Sequence, residues 1–168
     1  MQRIQTITPC LWFDHQAEQA VKFYIQVFGG SSRILTTSYY SEVGTEIHGR
    51  PAGSVMAISF ELDGQQFSAL NGGPIFTFTE AISLQINCQD QAEIDHYWSA
   101  LSQGGDPQAQ VCGWLKDHYG LSWQVVPVRL FELLEDSDAD RAGRVMSAML
   151  KMKKIDIATL EQAADEFD

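Results

Sequence analysis

The segment Gln16-Ala-Glu-Gln-Ala-Val-Lys-Phe-Tyr-Ile-Gln-Val-Phe-Gly-Gly30 has a counterpart 75 residues later, from Gln91 to Gly105. Five of the 15 aligned positions are identical, among them both glycine pairs. Apolar residues at helical spacing predict helices over 17–28 and 91–101, and the glycines end each helix. The recurrence indicates an internal duplication, although the apolar stripes of the two helices match better at an offset of 74.

Strand patterns surround the first predicted helix. Asp63-Gly64 is typical of a two-residue hairpin turn, and the stretch 41–53, with three glycines and a proline, predicts an exposed loop. The runs with strand composition or alternating apolar residues lie at 4–13, 32–40, 54–62 and 66–70. This part of the chain therefore predicts the order strand, helix, strand, strand, strand.

A second series follows the break at Asn71-Gly72-Gly73-Pro74. Its predicted strands lie at 81–88, 110–116 and 121–128, with a turn at 117–120 and a weak indication of one further strand after the helix. We therefore predict an α+β fold of two tandem βαβββ modules. The predicted boundaries are 1–75 for the first module, 76–128 for the second and 129–168 for a C-terminal helical extension.

The C-terminal extension differs from both modules. Asp136-Ser-Asp-Ala-Asp140 supplies capping carboxylates for one helix, and Asp156 caps a last helix. The apolar residues that share a face are Ala142, Val145, Met146, Met149 and Leu150 in the first helix, and Ile157, Leu160, Ala164 and Phe167 in the second. These faces pack either on their own modules or across a dimer interface.

Composition narrows the class of protein. The 168 residues carry a formal net charge of −11, which argues against nucleic-acid backbones and anionic membranes as partners. The chain has no long apolar run and no basic-then-apolar signal pattern, so we expect a soluble cytoplasmic protein. Its three cysteines form no CxxC pair, which suits free thiols in a reducing compartment.

Several motifs together resemble one protein family. They are Ile7-Thr-Pro-Cys-Leu-Trp-Phe-Asp14, Gln16-Ala-Glu-Gln-Ala20, Gly53-Ser-Val-Met-Ala57, Leu70-Asn-Gly-Gly-Pro74, Cys112-Gly-Trp-Leu-Lys-Asp117, Gly120-Leu-Ser-Trp-Gln-Val-Val-Pro127 and Met149-Leu-Lys-Met-Lys-Lys-Ile-Asp156. As a set they resemble the PhnB-like branch of the vicinal-oxygen-chelate superfamily, which holds glyoxalase I, extradiol dioxygenases and bleomycin-resistance proteins. The resemblance implies a half-open mixed-sheet barrel built from the paired modules, and a homodimer.

Members of the same branch often carry the label 3-demethylubiquinone-9 3-methyltransferase. A typical S-adenosylmethionine site has a Gly-rich turn after the first strand of a parallel sheet. Here the first predicted strand ends in Phe13-Asp-His-Gln16, and Gly29-Gly30 follows a helix, where a glycine C-cap explains it. The residues therefore predict no methyl-donor site, and we expect no cofactor.

Enzymes of the superfamily chelate a divalent metal mostly with His and Glu side chains from the first and last strands of each module. The resemblance carries these positions to Thr8, Ser83, Ser68 and Gln124. Neutral hydroxyl and amide groups are poor ligands for such ions, so we expect no metal site there. His15, His48, His96 and His118 form no pair with metal-binding spacing and predict no site elsewhere.

The predicted ligand pocket is lined by side chains from several strands. The candidates are Thr8, Cys10, Trp12, Met56, Ser68, Ser83, Gln85, Trp114 and Gln124. Cys10 has no local base or cation to activate it, which favours a packing thiol over a nucleophile. The indoles of Trp12 and Trp114 fit a pocket wall and a plain core equally well.

Three functions remain open at this point. The first is a binding protein or enzyme that encloses a small organic molecule in a metal-free cavity, oriented by polar groups such as Thr8, Ser83, Gln85 and Gln124. The second is a metal-dependent lyase, isomerase or dioxygenase of the superfamily, and the third is the methyltransferase of the family label. The loop 41–53 is either a lid with substrate contacts or an unconstrained surface loop, and its candidate contact residues are Glu42, Glu46, His48 and Arg50. The residues specify no particular reaction.

Overall fold

The computed structural model describes residues 5–166, so the predicted strand start at Ile4 and the predicted helix residue Phe167 lie outside the described residues. The chain divides into two compact units, residues 1–78 and 79–168, and each unit contains one sheet. No helix within residues 5–166 is long and apolar enough to cross a membrane.

The first unit follows the predicted order of strand, helix and three strands, with one short helix added in the loop 41–53. Its elements are β1 (Cys10–Phe13), α1 (Ala17–Phe28), β2 (Arg33–Tyr39), α2 (Thr45–His48), β3 (Val55–Leu62) and β4 (Gln65–Asn71). The sheet order is β1-β4-β3-β2, in which β1 runs parallel to β4 and the other neighbours are antiparallel. The predicted hairpin turn is confirmed, since Asp63 and Gly64 both have positive φ, 45° and 79°.

The strand predicted over 4–13 is too long, because β1 begins only at Cys10. Pro9 stands directly before β1 and has no N–H to donate to a neighbouring strand. Farther upstream a side chain replaces the backbone ladder. The Oε1 atom of Gln5 accepts from the Gln66 N–H, and its Nε2 donates to the Gln66 carbonyl, both at 3.3 Å. This segment is thus held beside β4 without strand geometry.

One face of the first sheet is covered by α1. The residues buried between them are Leu11, Phe13, Ile58, Phe60, Leu62, Phe67 and Ala69 from the strands, and Ala17, Ala20, Val21, Tyr24 and Val27 from the helix. Side chains alternate along a strand, so the intervening residues lie on the opposite face. We call that opposite face the open face of the first sheet.

Asn71 at the end of β4 joins the sheet to α1. Its Oδ1 accepts from the N–H of Ala17, the first residue of α1, at 2.9 Å, and its Nδ2 donates to the Val55 carbonyl at 3.0 Å. Gln16, at the N-cap position of α1, makes no side-chain cap of its own. The buried amide of Asn71 therefore caps α1 from 54 residues along the chain.

The second unit has one strand fewer than a full βαβββ module. Its elements are β5 (Leu84–Cys88), α3 (Gln91–Ser102), a 3-10 helix (Pro107–Ala109), β6 (Trp114–Lys116) and β7 (Ser122–Pro127). The sheet order is β5-β7-β6, with β5 parallel to β7 and β6 antiparallel to it. Only residues 103–113 separate α3 from β6, whereas 29–54 separate α1 from β3. The shorter connection contains the 3-10 helix and the turn at Cys112 and Gly113 in place of the further strand that was weakly indicated.

Two strands of this unit begin later than predicted. The strand predicted over 81–88 starts at Leu84, and the one predicted over 110–116 starts at Trp114. Val111 forms only an isolated bridge with Trp114, because Cys112 and Gly113 turn the chain with positive φ values of 49° and 84°. Positive φ is incompatible with an extended ladder, so the strand cannot continue through this turn.

Asp117 organises the turn between β6 and β7. Its carboxylate is 2% exposed and accepts from the N–H groups of Tyr119 and Leu121 and from the indole Nε1 of Trp123, at 2.8, 3.1 and 2.8 Å. Burying a carboxylate is costly unless such donors surround it. The turn predicted at 117–120 is thus present, and the same carboxylate orients the buried indole of Trp123.

The C-terminal extension contains one helix that the sequence patterns did not predict, α4 (Val128–Leu134), which directly follows β7. The two predicted helices are α5 (Ala139–Met149) and α6 (Ile157–Asp165), capped by Asp138 and Asp156. Apolar residues of the extension form one cluster with the end of β7, comprising Val126, Leu130, Leu133, Val145, Ile155, Leu160 and Ala164. The extension is therefore part of the core of its own unit.

Replacing Asn71 by Ala removes the cap of α1 and leaves buried backbone groups unpaired. We expect the free energy of unfolding to fall by about 1–3 kcal/mol, the cost of a lost cap together with an unsatisfied buried group. Asn87→Ala is a matched control, because Asn87 is exposed on β5. Urea denaturation of both variants measures the difference, and equal stabilities would contradict the capping role.

Candidate functional site

The open face of the first sheet carries a row of small polar side chains. Cys10, Ser68, Ser59 and Thr36 are successive cross-strand partners from β1, β4, β3 and β2, so their side chains share this face. Trp12 lies on the same face, two residues beyond Cys10 on β1. The structure thus brings together the predicted pocket residues Cys10, Trp12 and Ser68. It adds Ser59 and Thr36, which the sequence reasoning missed because their register on β3 and β2 was unknown.

Trp12 is fixed against the segment that follows β4. Its indole Nε1 donates to the Gly73 carbonyl at 2.8 Å, and the ring of Phe76 meets it edge-on with centroids 5.0 Å apart. A Cβ at Gly72 would collide with the Trp12 ring, so only glycine fits at that position. Trp12 therefore presents an aromatic surface of fixed orientation.

Two predicted pocket residues of the first unit lie away from this row. Thr8 precedes β1 in the segment without strand geometry, and its side chain is exposed. Met56 is one position out of phase with Ala57 and Ser59, so it falls on the face of Ile58, which α1 covers. Neither residue shares the open face with Cys10 in the way that the pocket prediction requires.

The second sheet has a comparable open face. Gln85, Gln124 and Trp114 are direct cross-strand partners from β5, β7 and β6 and form one row across the sheet. Leu115 and Trp123 alternate with this row and are buried on the opposite face, toward α3. Three predicted pocket residues therefore share one face of the second sheet, which we call the open face of the second sheet.

Hydrogen bonds tie the amides of this face to their neighbours. The Nε2 atom of Gln124 donates to the Ser83 Oγ at 2.8 Å, and the Nε2 atom of Gln85 donates to the Asn87 Oδ1 at 2.8 Å. Each amide keeps its carbonyl oxygen and one N–H available. The predicted pocket residue Ser83 thereby lies beside Gln124, and Asn87, which was not predicted, lies two residues beyond Gln85 on the same face.

Ser122 is a further residue of this region that the sequence reasoning missed. It is the cross-strand partner of Lys116 and, by alternation along β7, shares the face of Gln124. Its side chain is 1% exposed, and within residues 5–166 its Oγ has no hydrogen-bond partner. A buried hydroxyl without a hydrogen-bond partner is costly to stability. No sequence pattern marks such a hydroxyl.

The open faces of the two sheets are related by an offset of 75, whereas α1 (Ala17–Phe28) and α3 (Gln91–Ser102) are related by an offset of 74. Cys10 pairs with Ser68 in the first sheet, and Gln85, 75 residues after Cys10, pairs with Gln124 in the second. The strand register therefore agrees with an offset of 75 and aligns Ser68 with Gln124. The duplication is present in the arrangement of the strands as well as in the helices.

The donors on these rows do not fit a divalent metal. The rows through Ser68 and Gln124 contain hydroxyl, thiol, amide and indole groups and neither an imidazole nor a carboxylate. Gln124 already donates its amide N–H to Ser83. Among residues 5–166, no group of three or more His, Cys, Asp or Glu side chains is arranged to hold a metal ion. Neutral oxygens and one thiol are a poor set for the ions of the superfamily.

The methyl-donor motif is also missing where it would be needed. After β1 the chain continues through Asp14, His15 and Gln16 directly into α1. Gly29 lies at the other end of that helix, as its C-cap with φ 58°. Asp14 is held by Arg50 at 3.1 Å and does not begin a Gly-rich turn.

The three cysteines differ in accessibility. Cys88 on β5 is buried, and burial, together with the nearby carboxylates of Glu93 and Asp90, raises its pKa to about 12. Cys10 is exposed on the open face of the first sheet. The thiol of Cys88 is therefore a packing group, whereas that of Cys10 is open to reagents.

The loop 41–53 is anchored rather than unconstrained. Arg50 Nη2 donates to the carbonyl and the carboxylate of Asp14, at 3.0 and 3.1 Å, and the ring of His48 lies against that of Tyr40 with centroids 4.5 Å apart. A half-open cleft of about 300 Å³ lies between this loop and the first turn of α1, with Asn71 in its wall. Its role as a lid remains a prediction.

The parallel pairing of first and last strands, repeated in both units, defines a duplicated α+β protein. The chain belongs to the family described as 3-demethylubiquinone-9 3-methyltransferase, whose model matches residues 5–126. A solved structure of a PhnB protein from Bacillus cereus is 36% identical, covers 74% of this chain and 100% of its own, and has a TM-score of 0.62. The predicted PhnB-like membership is thus confirmed.

Two further solved structures are similar at lower identity. Protein PA1353 from Pseudomonas aeruginosa is 20% identical, with 74% of this chain and 98% of that chain covered and a TM-score of 0.53, which supports the fold alone. The fosfomycin resistance protein FosX from Listeria monocytogenes is 13% identical, with coverage of 75% and 94% and a TM-score of 0.46. Comparison with curated proteins gave no match.

Thiol alkylation tests the difference between the cysteines. With iodoacetamide at pH 8 under native conditions, we expect Cys10 to be modified and Cys88 to stay unmodified, because a thiol with a pKa near 12 forms almost no thiolate at that pH. Peptide mass spectrometry measures the modified fraction of each. Modification of Cys88 as fast as Cys10 would contradict its burial, and modification in urea is the control for intrinsic reactivity.

Proposed function

We propose that the chain binds a small, uncharged organic molecule at the open face of the second sheet. The observation that carries this proposal is the row of Gln85, Gln124 and Trp114, which places two amides beside an indole. Amides supply both donors and acceptors, and an indole supplies a flat apolar surface. Ligand sites typically combine such an apolar surface with a few convergent polar groups.

The distribution of charged groups around this face favours an uncharged ligand. The row itself contains no ionisable group, and the cation beside it, Lys116, is paired with the carboxylate of Glu80. A charged ligand would therefore lose hydration without gaining an opposite charge. The hydroxyl of Ser122, on the same face, is buried, so a ligand atom can contact it only if the side chains that cover it move.

The description of the family favours a second candidate, a methyltransferase acting on a demethylated ubiquinone precursor. The aromatic and amide groups of the open face suit a ring bearing oxygens, but the methyl donor has no recognisable binding turn in either unit. We therefore propose ligand binding as the function and treat methyl transfer as the alternative to be tested.

Three further features belong to the same proposal. We propose that residues 1–75 and 76–128 act as a pair of duplicated modules, with 129–168 as an extension, as the sequence analysis predicts. We also propose a homodimer, supported by the family resemblance, which light scattering can check against the 18.8 kDa mass of one chain. The composition supports a cytoplasmic location.

Benzamide, an uncharged aromatic amide, is a suitable probe for the site. We expect it to shift the NMR signal of the Trp114 indole N–H, and Gln124→Leu to weaken its binding about fivefold, the equivalent of one lost hydrogen bond. Gln108→Leu, in the exposed 3-10 helix, is the matched control. Benzoate should bind more weakly than benzamide, and equal binding of the two by the wild type would contradict the preference for uncharged ligands.

Ser122→Ala separates a binding role from a structural one in the same titration. Because the Ser122 hydroxyl has no partner within residues 5–166, removing it should leave the thermal midpoint unchanged or raise it. If the hydroxyl contacts the ligand, the same variant binds benzamide more weakly. Unchanged binding by both Ser122→Ala and Gln124→Leu would place the ligand elsewhere.

Metal analysis and calorimetry test the two enzymatic alternatives. Protein purified without chelator is expected to contain Fe, Mn, Ni and Zn well below one ion per chain, because the predicted ligand positions offer neutral donors. Titration with S-adenosylmethionine is expected to give no saturable heat. A stoichiometric metal would support the metal-dependent alternative, and measurable S-adenosylmethionine binding would support the methyltransferase.

A further inference from the structure

A second candidate site lies in the first unit, in the cleft between the loop 41–53 and the first turn of α1. The cleft has a volume of about 300 Å³, which is at the small end of the range for ligand sites. Its wall includes Arg50 from the loop, Ser54 directly before β3, Tyr40 directly after β2 and Gln19 from α1. These groups are polar and come from separate parts of the unit.

Arg50 is held in the wall of this cleft with part of its guanidinium free. Its side chain is 22% exposed, and Nη2 is fully used by the carbonyl and carboxylate of Asp14. Within residues 5–166, Nη1 and Nε of Arg50 donate to no protein group. Hydrogen bonds from Arg50 first, and then from His15, lower the pKa of Asp14 below its usual value, so this anchor stays charged at neutral pH.

The other ionisable side chains near the cleft do not pair with the free edge of the Arg50 guanidinium. The carboxylate of Glu18 is paired with Lys22 at 2.7 Å, and His15 contacts the second oxygen of Asp14 at 3.2 Å. His48 points its Nδ1 at the Arg50 backbone N–H, 3.0 Å away, and not at the guanidinium. The free edge of Arg50 therefore remains an unmatched donor for an anion.

Hydrogen-bond acceptors stand elsewhere in the wall of the same cleft. The Tyr40 hydroxyl donates to the Asn71 carbonyl at 2.7 Å, and the Ser54 hydroxyl donates to the Pro51 carbonyl at 2.6 Å. Each hydroxyl has thus committed its hydrogen and keeps its oxygen lone pairs. A ligand that suits this wall carries an anion for Arg50 and, separately, a donor for these oxygens.

We propose that this cleft binds a small carboxylate that also carries a hydroxyl or amino group, with Arg50 as the contact for the carboxylate. The cleft lies within the first unit, and the open face of the second sheet is in the other unit. The anchored loop 41–53 supplies Arg50 and so forms one wall of the binding site. A single ion pair to a side chain fixed by Asp14 requires little reordering of the protein on binding.

NMR titration of the full chain with L-lactate, propionate and inorganic phosphate tests this proposal. L-lactate is expected to give saturable shifts confined to the backbone amides around Arg50, Gln19 and Asn71. Propionate, which lacks the hydroxyl, should bind several-fold more weakly, and phosphate should not compete with lactate. Tighter binding of phosphate than of lactate would overturn the assignment to a carboxylate, and no saturable shift at tens of millimolar lactate would overturn the site itself.

Variants separate the role of Arg50 from a general effect of charge. Arg50→Gln is expected to weaken lactate binding about tenfold or more, since a charge-assisted contact is lost. Arg33→Gln is the matched control, because Arg33 pairs with Glu61 on the same sheet at 3.3 Å and lies outside the cleft. Arg50→Lys should restore part of the binding if the fold of the loop is intact. Equal binding by Arg50→Gln and Arg33→Gln would overturn the proposal, whereas the response to benzamide should be unchanged in both.

Discussion

The buried amide of Asn71 is the contact on which the first unit depends. Its side chain lies at the end of β4, where it caps α1 and also donates a hydrogen bond to the Val55 carbonyl at the start of β3. The carbonyl of the same residue accepts from the hydroxyl of Tyr40, the residue directly after β2. The helix α1, the strands β3 and β4 and the chain that leaves β2 therefore meet at Asn71. A helix that begins without its own cap can be placed exactly where the sheet requires it, because the cap belongs to the sheet.

In the second unit, the helix α3 is capped by residues next to it in the sequence. Asp90 caps α3 by accepting from the Glu93 N–H at 2.9 Å, and the Glu93 carboxylate accepts from the N–H of Gln89, the residue before the cap, at 2.8 Å. Its connection from helix to closing hairpin is short, and Asp117 fixes that hairpin by accepting three donors. The two modules thus share topology and register while their helices are capped in different ways.

The sequence predicted those features that depend on local chemistry. The helices of both modules, the Asp63-Gly64 hairpin, the turn after Lys116 and the caps at Asp138 and Asp156 follow from spacing and capping rules, and each is present. Two local features were missed, since Pro9 precedes a β1 that begins only at Cys10, and α4 begins at Val128, inside the strand predicted over 121–128. The phase of β3, which depends on the packing of α1, puts Met56 on the helix side.

The same limit applies to the candidate site. The pairing of Gln85 with Gln124 and Trp114 could be proposed from strand alternation and the repeat. The unpartnered hydroxyl of Ser122 and the free edge of Arg50 could not, because each is defined by which neighbours fail to reach it. A sequence shows which polar groups exist, and only the structure shows which of them already have hydrogen-bond partners.

The C-terminal extension limits where the chain can be truncated. The family match ends at residue 126, and the Bacillus cereus protein covers 74% of this chain with its full length. Yet Val126 packs in one cluster with Leu130, Val145 and Leu160, all beyond that point. A recombinant fragment cut at the family boundary would expose the apolar end of β7 to water. The part of the chain shared with its relatives is therefore smaller than the part that must be kept for the second unit to fold.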